Sequence, residues 1–359
     1  MKKLDIYIIK KFLGTFFFAL ILIIFVAVIF DLSENIDEFL EKKVPFKAIV
    51  FEYYINFIPY FANLFSSLFT FIAVIFFTSK MAFNTEIVAI LSGGVSFRRL
   101  MFPYFISAVI ISAFTFFLSA VVIPPANQAR INFDNKYIRG VKQYSQWNYH
   151  RQLEPGVSVY FERFNSITNV GLRFTLEKFD DGKLQTKLMA ESITWDSTTG
   201  KWKLRNYSIR EFNDTIREKF TRGQEIDTAL NVTPAEFLMR DDIVETMNFA
   251  ELDNFIKEQR FQGRLNVEPY IIEKHKRIAF PFATFILTLI GVSLASRKVR
   301  GGIGLHIGMG FLFSFAYILF MQISTTFAVS GLMNPMLAVW IPNIIFFFVA
   351  IILYRLAPK

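Results

Sequence analysis

The stretch from Gly301 to Tyr354 contains no Asp, Glu, Lys or Arg. A helix of roughly 20 apolar residues crosses the hydrocarbon core of a bilayer, so this stretch is long enough for two spans that turn at about Ser330 to Pro335. Other charge-free runs are Phe12 to Phe30, Tyr53 to Ser79, Met101 to Ile123 and Ile278 to Ser296. The pattern predicts a polytopic α-helical membrane protein with six transmembrane helices.

A polar segment, residues 124–271, separates the third span from the fourth. It holds 21 basic and 21 acidic residues, so the net charge of +9 belongs to the rest of the chain, which has 18 basic and 9 acidic residues. Most of that excess lies at helix ends, where it indicates topology rather than nucleic-acid binding. The predicted order is helices 1–3 in residues 1–123, an external domain in 124–271, and helices 4–6 in 272–359, with both termini cytoplasmic.

The inserted segment has the alternation of β-strands. Apolar and polar residues alternate from Val157, and turn sequences such as Asp180-Asp181-Gly182 separate the runs. Six or so strands at this spacing predict an antiparallel sandwich or jelly-roll-like sheet, which offers a hydrophobic trough or an open edge to another β protein. After the strands, Asn248 and Glu251 predict the capping box of a helix that runs to Arg260.

A short helix is predicted between the second and third spans, at about residues 81–94. Thr85 and Glu86 precede an apolar stretch that ends at Ser92-Gly93-Gly94, and Ser96 can cap the next helix. Two interpretations follow. The helix is either an interfacial connector, or a coupling helix that docks into a cytoplasmic partner and offers Glu86 to a basic group.

Cations lie near the predicted outer ends of the spans. Lys274, Lys276 and Arg277 precede the fourth span, and Lys42 and Lys43 follow the first. These side chains either snorkel to lipid phosphates or form a site for an anionic lipid headgroup. His275, beside these cations, is interpreted as a hydrogen-bond donor.

Other motifs exclude chemistry rather than indicate it. The glycines from Gly301 to Gly310 lack the Lys-Ser/Thr of a phosphate loop, so Gly304 and Gly308 predict close helix packing instead. The chain has no cysteine, and its sequence offers no Walker motif, metal-ligand cluster or catalytic constellation. We therefore expect no catalytic residue, no metal and no cofactor, with His150 at the surface and His306 structural.

Four features together resemble the LptF/LptG family, the permease subunits of the lipopolysaccharide-export ABC transporter. They are the opening Leu4-Asp5-x-Tyr7-Ile8, the segment Glu86 to Ser96, the sequence His275-Lys276-Arg277-x-Ala279-x-Pro281, and the order of three helices, a domain and three helices. The resemblance covers the whole chain. The opening is more similar to LptG, although the region after the first span is acidic where LptG-type members carry basic residues.

The resemblance implies a role. The short helix would contact an LptB-type cytoplasmic ATPase dimer, which uses ATP, through Glu86, Ile87, Leu91, Ser92 and Gly93. A second permease, LptC-type and LptA-type bridge proteins, membrane lipids and lipopolysaccharide would be the other partners, in the bacterial inner membrane with the β-domain in the periplasm. Alternatives are a membrane scaffold or sensor, a lipid-metabolising enzyme, and an exporter of a different anionic lipid.

Overall fold

The computed structural model of the chain describes residues 2–138, 145–165, 168–212, 218–230, 233–234, 241–263, 267–297 and 302–357. The chain divides into two compact units. The helical unit comprises Met1–Phe133, Val244–Leu252 and Glu268–Lys359, and the sheet unit comprises Asp134–Ile243 and Asp253–Val267.

Six helices within the described residues are long and apolar enough to cross a membrane. They are α1 (Lys3–Glu41), α2 (Phe46–Phe83), α4 (Phe97–Ile138), α6 (Glu268–Ala295), α7 (Gly302–Val329) and α8 (Pro335–Leu356). Two shorter helices are α3 (Glu86–Ser92), between α2 and α4, and α5 (Phe249–Phe261), before α6. The predicted helical architecture with an inserted β-domain is confirmed.

The helical unit is built around α6. Of its most apolar stretch 67% is buried, against 17% for α1. Small residues on α6, including Ala279, Ala283 and Gly291, allow α2 and α8 to approach it closely. The outer helices leave large apolar side chains exposed, as lipid contact requires.

The third span does not end at Pro124-Pro125 as the sequence predicted. The helix α4 widens to a π-helical turn over Leu118–Val122 and then continues as an α-helix over Ile123–Phe133. A proline lacks an amide donor and crowds the carbonyl group four residues before it, and the wider turn accommodates both effects. The boundary of the inserted domain therefore lies after Phe133 rather than at residue 124.

The sheet unit contains one antiparallel sheet whose described strands follow chain order, β1-β2-β3-β4-β5-β6. The strands are β1 (Ser145–Glu154), β2 (Val157–Asn165), β3 (Val170–Asp180), β4 (Lys183–Asp196), β5 (Lys201–Phe212) and β6 (Glu218–Thr228). Aromatic side chains dominate its buried face, with Phe161, Phe174 and Trp202 at its centre. Gly171 is required there, because a Cβ at this position would lie 2.5 Å from Cδ1 of Phe161.

Candidate functional site

The helix α3 forms a tight connection between two membrane-spanning helices. Thr85 begins it in the left-handed conformation, with φ of 64°, and Gly93 and Gly94 end it, the latter with φ of 83°. The side chain of Ser96 then caps α4 by accepting a hydrogen bond from the amide of Arg99 at 3.3 Å. The predicted short helix and its start and stop signals are present. It is shorter than the predicted 81–94, because α2 continues to Phe83.

The two faces of α3 differ in burial. Ile87 is fully buried, and Ile90 and Leu91 pack against the core of the helical unit. On the other face Val88 is 52% exposed, and Ala89, Ser92 and Gly93 are also exposed. The predicted coupling residues thus have different surroundings: Ile87 and Leu91 anchor the helix, whereas Ser92 and Gly93 lie on its free surface.

Glu86 lies at the start of α3, half-buried, between two uncharged donors. The hydroxyl group of Tyr7 donates to its Oε2 at 3.2 Å, and the side-chain amide of Asn84 donates to its Oε1 at 3.3 Å. Tyr7 belongs to the first turns of α1, so the carboxylate is oriented by a helix that is remote in sequence. Each carboxylate oxygen can still accept a further hydrogen bond.

A second link joins the start of α1 to the start of α4. Asp5 is 1% exposed and forms an ion pair with Arg99 at 2.7 Å, while it also accepts a hydrogen bond from the backbone amide of Lys2 at 2.8 Å. The sequence drew attention to Asp5 and Tyr7 only as parts of a motif. An acidic and a phenolic side chain close together at a helix start mark both residues as candidates for polar contacts. The spacing alone does not predict that their partners are Arg99 and Glu86.

Arg277 is an internal side chain rather than the lipid-headgroup ligand that the sequence predicted. It is 4% exposed, and its Nε donates to Glu273 at 3.0 Å. The two terminal nitrogens donate to the backbone carbonyls of Met247 at 2.6 Å and Val244 at 2.8 Å. With three of its five N–H donors, the guanidinium group therefore holds the 244–247 segment against α6.

The other predicted headgroup ligands are closer to solvent. Lys274 and Lys276 are half-exposed, and Lys276 borders a cavity of about 200 Å³ that Asn127 and Glu245 also line. Lys42 and Lys43 are exposed in the turn between α1 and α2. These four cations remain predicted lipid contacts.

Close helix packing occurs at glycines other than those that the sequence predicted. A Cβ at Gly304 or Gly308 would meet no described atom within 4 Å. A Cβ at Gly291 would instead clash with Cγ1 of Val74, and one at Gly310 would lie 2.8 Å from Cδ1 of Ile75. The helix α2 therefore packs on Gly291 of α6 and Gly310 of α7, because these two positions, unlike Gly304 and Gly308, face its aliphatic side chains.

The sequence of the chain matches the family described as "Lipopolysaccharide export system permease LptF/LptG" over residues 6–356. The match extends across both units, from the first turn of α1 to the end of α8. The chain belongs to the LptF/LptG permease family. The resemblance drawn from its motifs is confirmed at this level, and the chain is a multi-pass membrane protein. No protein with a curated description matches it.

Two histidines of this LptF/LptG permease have the surroundings that the sequence predicted. His150 is exposed on β1, where its ring lies 4.4 Å from that of Tyr160. His306 is buried, and its Nδ1 lies 2.7 Å from Oγ of Ser79, which joins α7 to α2. Within the described residues no group of three His, Asp or Glu side chains is arranged to hold a metal ion.

Proposed function

We propose that this chain is a permease subunit of an ABC transporter that extracts lipopolysaccharide from the outer leaflet of the inner membrane. Its family membership over residues 6–356 is the observation that carries the proposal. The chain would work with a second permease, and its sheet unit would lie in the periplasm and pass lipid to LptC-type and LptA-type β-domains. Both termini and α3 would then be cytoplasmic.

The proposed energy source is a separate LptB-type ATPase dimer, with no cofactor bound by this chain. The surface of α3 supports this role, since its exposed side carries Val88, Ala89 and Ser92, which are small enough for close docking. Glu86 adds a half-buried carboxylate at one end of that surface. Movement of the ATPase would pass through α3 into α2 and α4, the two helices that it connects.

The lipid path is proposed to use the cations Lys42, Lys43, Lys274 and Lys276 for the phosphate groups of the lipid. A lysine near an anionic surface contributes about 1 kcal/mol of attraction, so several together are needed for a firm hold. Export of another anionic lipid would use the same residues. Comparison of the lipids that copurify with the complex distinguishes the two substrates.

The first prediction concerns Glu86→Ala. We expect the variant to fold normally but to lose copurification of the ATPase, or its coupled turnover, because the docking carboxylate is gone. The measurement is purification of the tagged chain in mild detergent, followed by identification of the subunits that accompany it and by ATPase assay.

Two controls accompany this experiment. Glu38→Ala removes an exposed carboxylate of α1 and should leave ATPase recovery unchanged. Tyr7→Phe removes one donor to Glu86 but keeps the carboxylate, and should have a smaller effect. Full recovery and turnover with Glu86→Ala would contradict the coupling role and would favour a scaffold or sensor.

A further inference from the structure

A groove of about 670 Å³ opens between α4, α6 and α8 of the helical unit. Phe105, Phe285 and Phe348 form much of its wall. Two of its lining residues, Thr288 and Asn343, carry a hydroxyl or an amide group. Asn343 accepts from the hydroxyl of Tyr317 at 3.0 Å and donates to the carbonyl of Ala279 at 3.1 Å, whereas the buried hydroxyl of Thr288 has no partner among the described residues. The groove therefore offers an apolar surface of the size typical of lipid and cofactor sites, roughly 300–1,000 Å³.

Two arginines continue the walls of the groove at one end. Arg98 precedes Phe105 by seven residues on α4, and Arg355 follows Phe348 by seven residues on α8, so each lies on the face of its helix that lines the groove. Their sequence neighbours Phe97 and Tyr354 have ring centroids 5.7 Å apart. The start of α4 and the end of α8 thus bring both cations to one end of the groove.

A third arginine lies at the same end. Arg297 follows α6, eight residues beyond Leu289 of the groove wall. All three arginines are exposed. None belongs to the ion pairs that the described residues form. Three exposed cations at the end of an apolar groove match the two parts of an anionic amphiphile, a charged head and hydrocarbon chains.

We propose that this groove binds an anionic diacyl phospholipid of the surrounding membrane. An acyl chain lies along the phenylalanines, and the phosphate is held by Arg98, Arg297 and Arg355 through charge-assisted hydrogen bonds. The arginines lie at the end of the helical unit where α4 begins, the end that also carries α3. The site is therefore separate from Lys42, Lys43, Lys274 and Lys276, and the bound lipid is a resident component rather than the exported one.

The absence of cysteine makes a site-specific test possible. Phe348 is 60% exposed. The variant Phe348→Cys introduces a single thiol there, which is labelled with the fluorophore bimane. The full-length protein, with the subunits that accompany it, is placed in bilayers that contain phosphatidylglycerol or phosphatidylcholine with identical brominated acyl chains. Bromine quenches the fluorophore on contact, so quenching reports which lipid occupies the groove.

We expect phosphatidylglycerol to quench at a lower mole fraction than phosphatidylcholine. Each arginine near an anionic headgroup contributes roughly a fivefold preference, so replacing all three by Gln should abolish the difference. The matched control replaces Lys10, Lys11 and Lys80 by Gln, which removes three exposed cations from helices that do not line the groove. This control should retain the preference for phosphatidylglycerol.

Equal quenching by the two lipids in the parent protein would overturn the proposal, because the lipid would then be ordinary annular lipid. Absence of quenching by either lipid would also overturn it, since the groove would be covered by protein such as a second permease. If the triple arginine variant does not fold, the comparison of the two lipids on the parent protein still decides the outcome. None of these results depends on lipopolysaccharide export.

Discussion

The contacts of Arg277 in the structure differ from those that its sequence neighbours suggest. In the sequence it is one of a group of cations before an apolar run, and the group suggests lipid phosphates. In the structure three of its five N–H donors bind Glu273 and two backbone carbonyls. The pair with Glu273 has i,i+4 spacing and is visible in sequence, whereas carbonyls 30 and 33 residues away are not.

We expect Arg277→Ala to lower the free energy of unfolding by about 2–4 kcal/mol. The loss follows because a buried acceptor set is left without its donor. Arg277→Lys keeps the charge but cannot reach three acceptors in a fork, and should give an intermediate loss. Thermal unfolding in detergent measures both, and the half-exposed neighbour Lys276 serves as control through Lys276→Ala. An unchanged melting temperature for Arg277→Ala would contradict the assignment.

The partner of Asp5, Arg99, is remote in sequence, like those of Arg277. Each could be predicted to lie at a helix start, Asp5 in the first turn of α1 and Arg99 after the cap Ser96. Their mutual contact, across 94 positions of sequence, depends on how the helices pack. The position of each residue at a helix start was therefore predictable from the sequence, but the ion pair between them was not.

At the scale of elements, the spans were predictable because the absence of charge over about 20 residues has few structural solutions. The strands β2 to β5 begin at Val157 and carry the alternation from which the sheet was predicted. The edge strand β6 is almost entirely exposed, so it has no buried face to impose alternation. Helix α4 was predicted too short because the effect of Pro124-Pro125 was judged without the π-helical turn before it.

The close packing of α2 on α6 depends on Gly291. Gly291→Ala places a methyl group against Cγ1 of Val74, a β-branched side chain with little freedom to move, and should destabilise the helical unit by about 1–3 kcal/mol. Gly308→Ala is the matched control, since the same change there meets no described atom and improves helix propensity. Thermal unfolding compares them, and equal behaviour of the two variants would contradict the packing.

At the scale of the whole molecule, the two units have separate apolar cores that share no residue. This organisation was predictable from the sequence. The inserted segment is rich in charged residues and alternates polar with apolar side chains, so it cannot pack into the core of the membrane-spanning helices. The position of its boundary, after Phe133, was not predictable. It depends on a helix that continues beyond the apolar run that defines the span.

Separate cores predict a local response to damage in the sheet. Trp202 is fully buried, with its ring 5.1 Å from that of Trp195, and Trp202→Ala should cost the sheet unit about 3–5 kcal/mol. Hydrogen exchange should then accelerate in β3 to β5, while α2 and α6 keep their protection. Met189→Ala, at a position 45% exposed on β4, is the control and should change little. Faster exchange throughout the helices would contradict independent cores.

The two uncharged donors that hold Glu86 also bear on how the proposed complex would behave over time. A carboxylate already oriented by a phenol and an amide needs no rearrangement to receive a cation from a partner. Without a partner cation, the carboxylate still accepts these two hydrogen bonds. Such a contact keeps its geometry through the cycle, which would suit the proposed coupling role, because each movement of the motor would reach α3 without first rearranging Glu86.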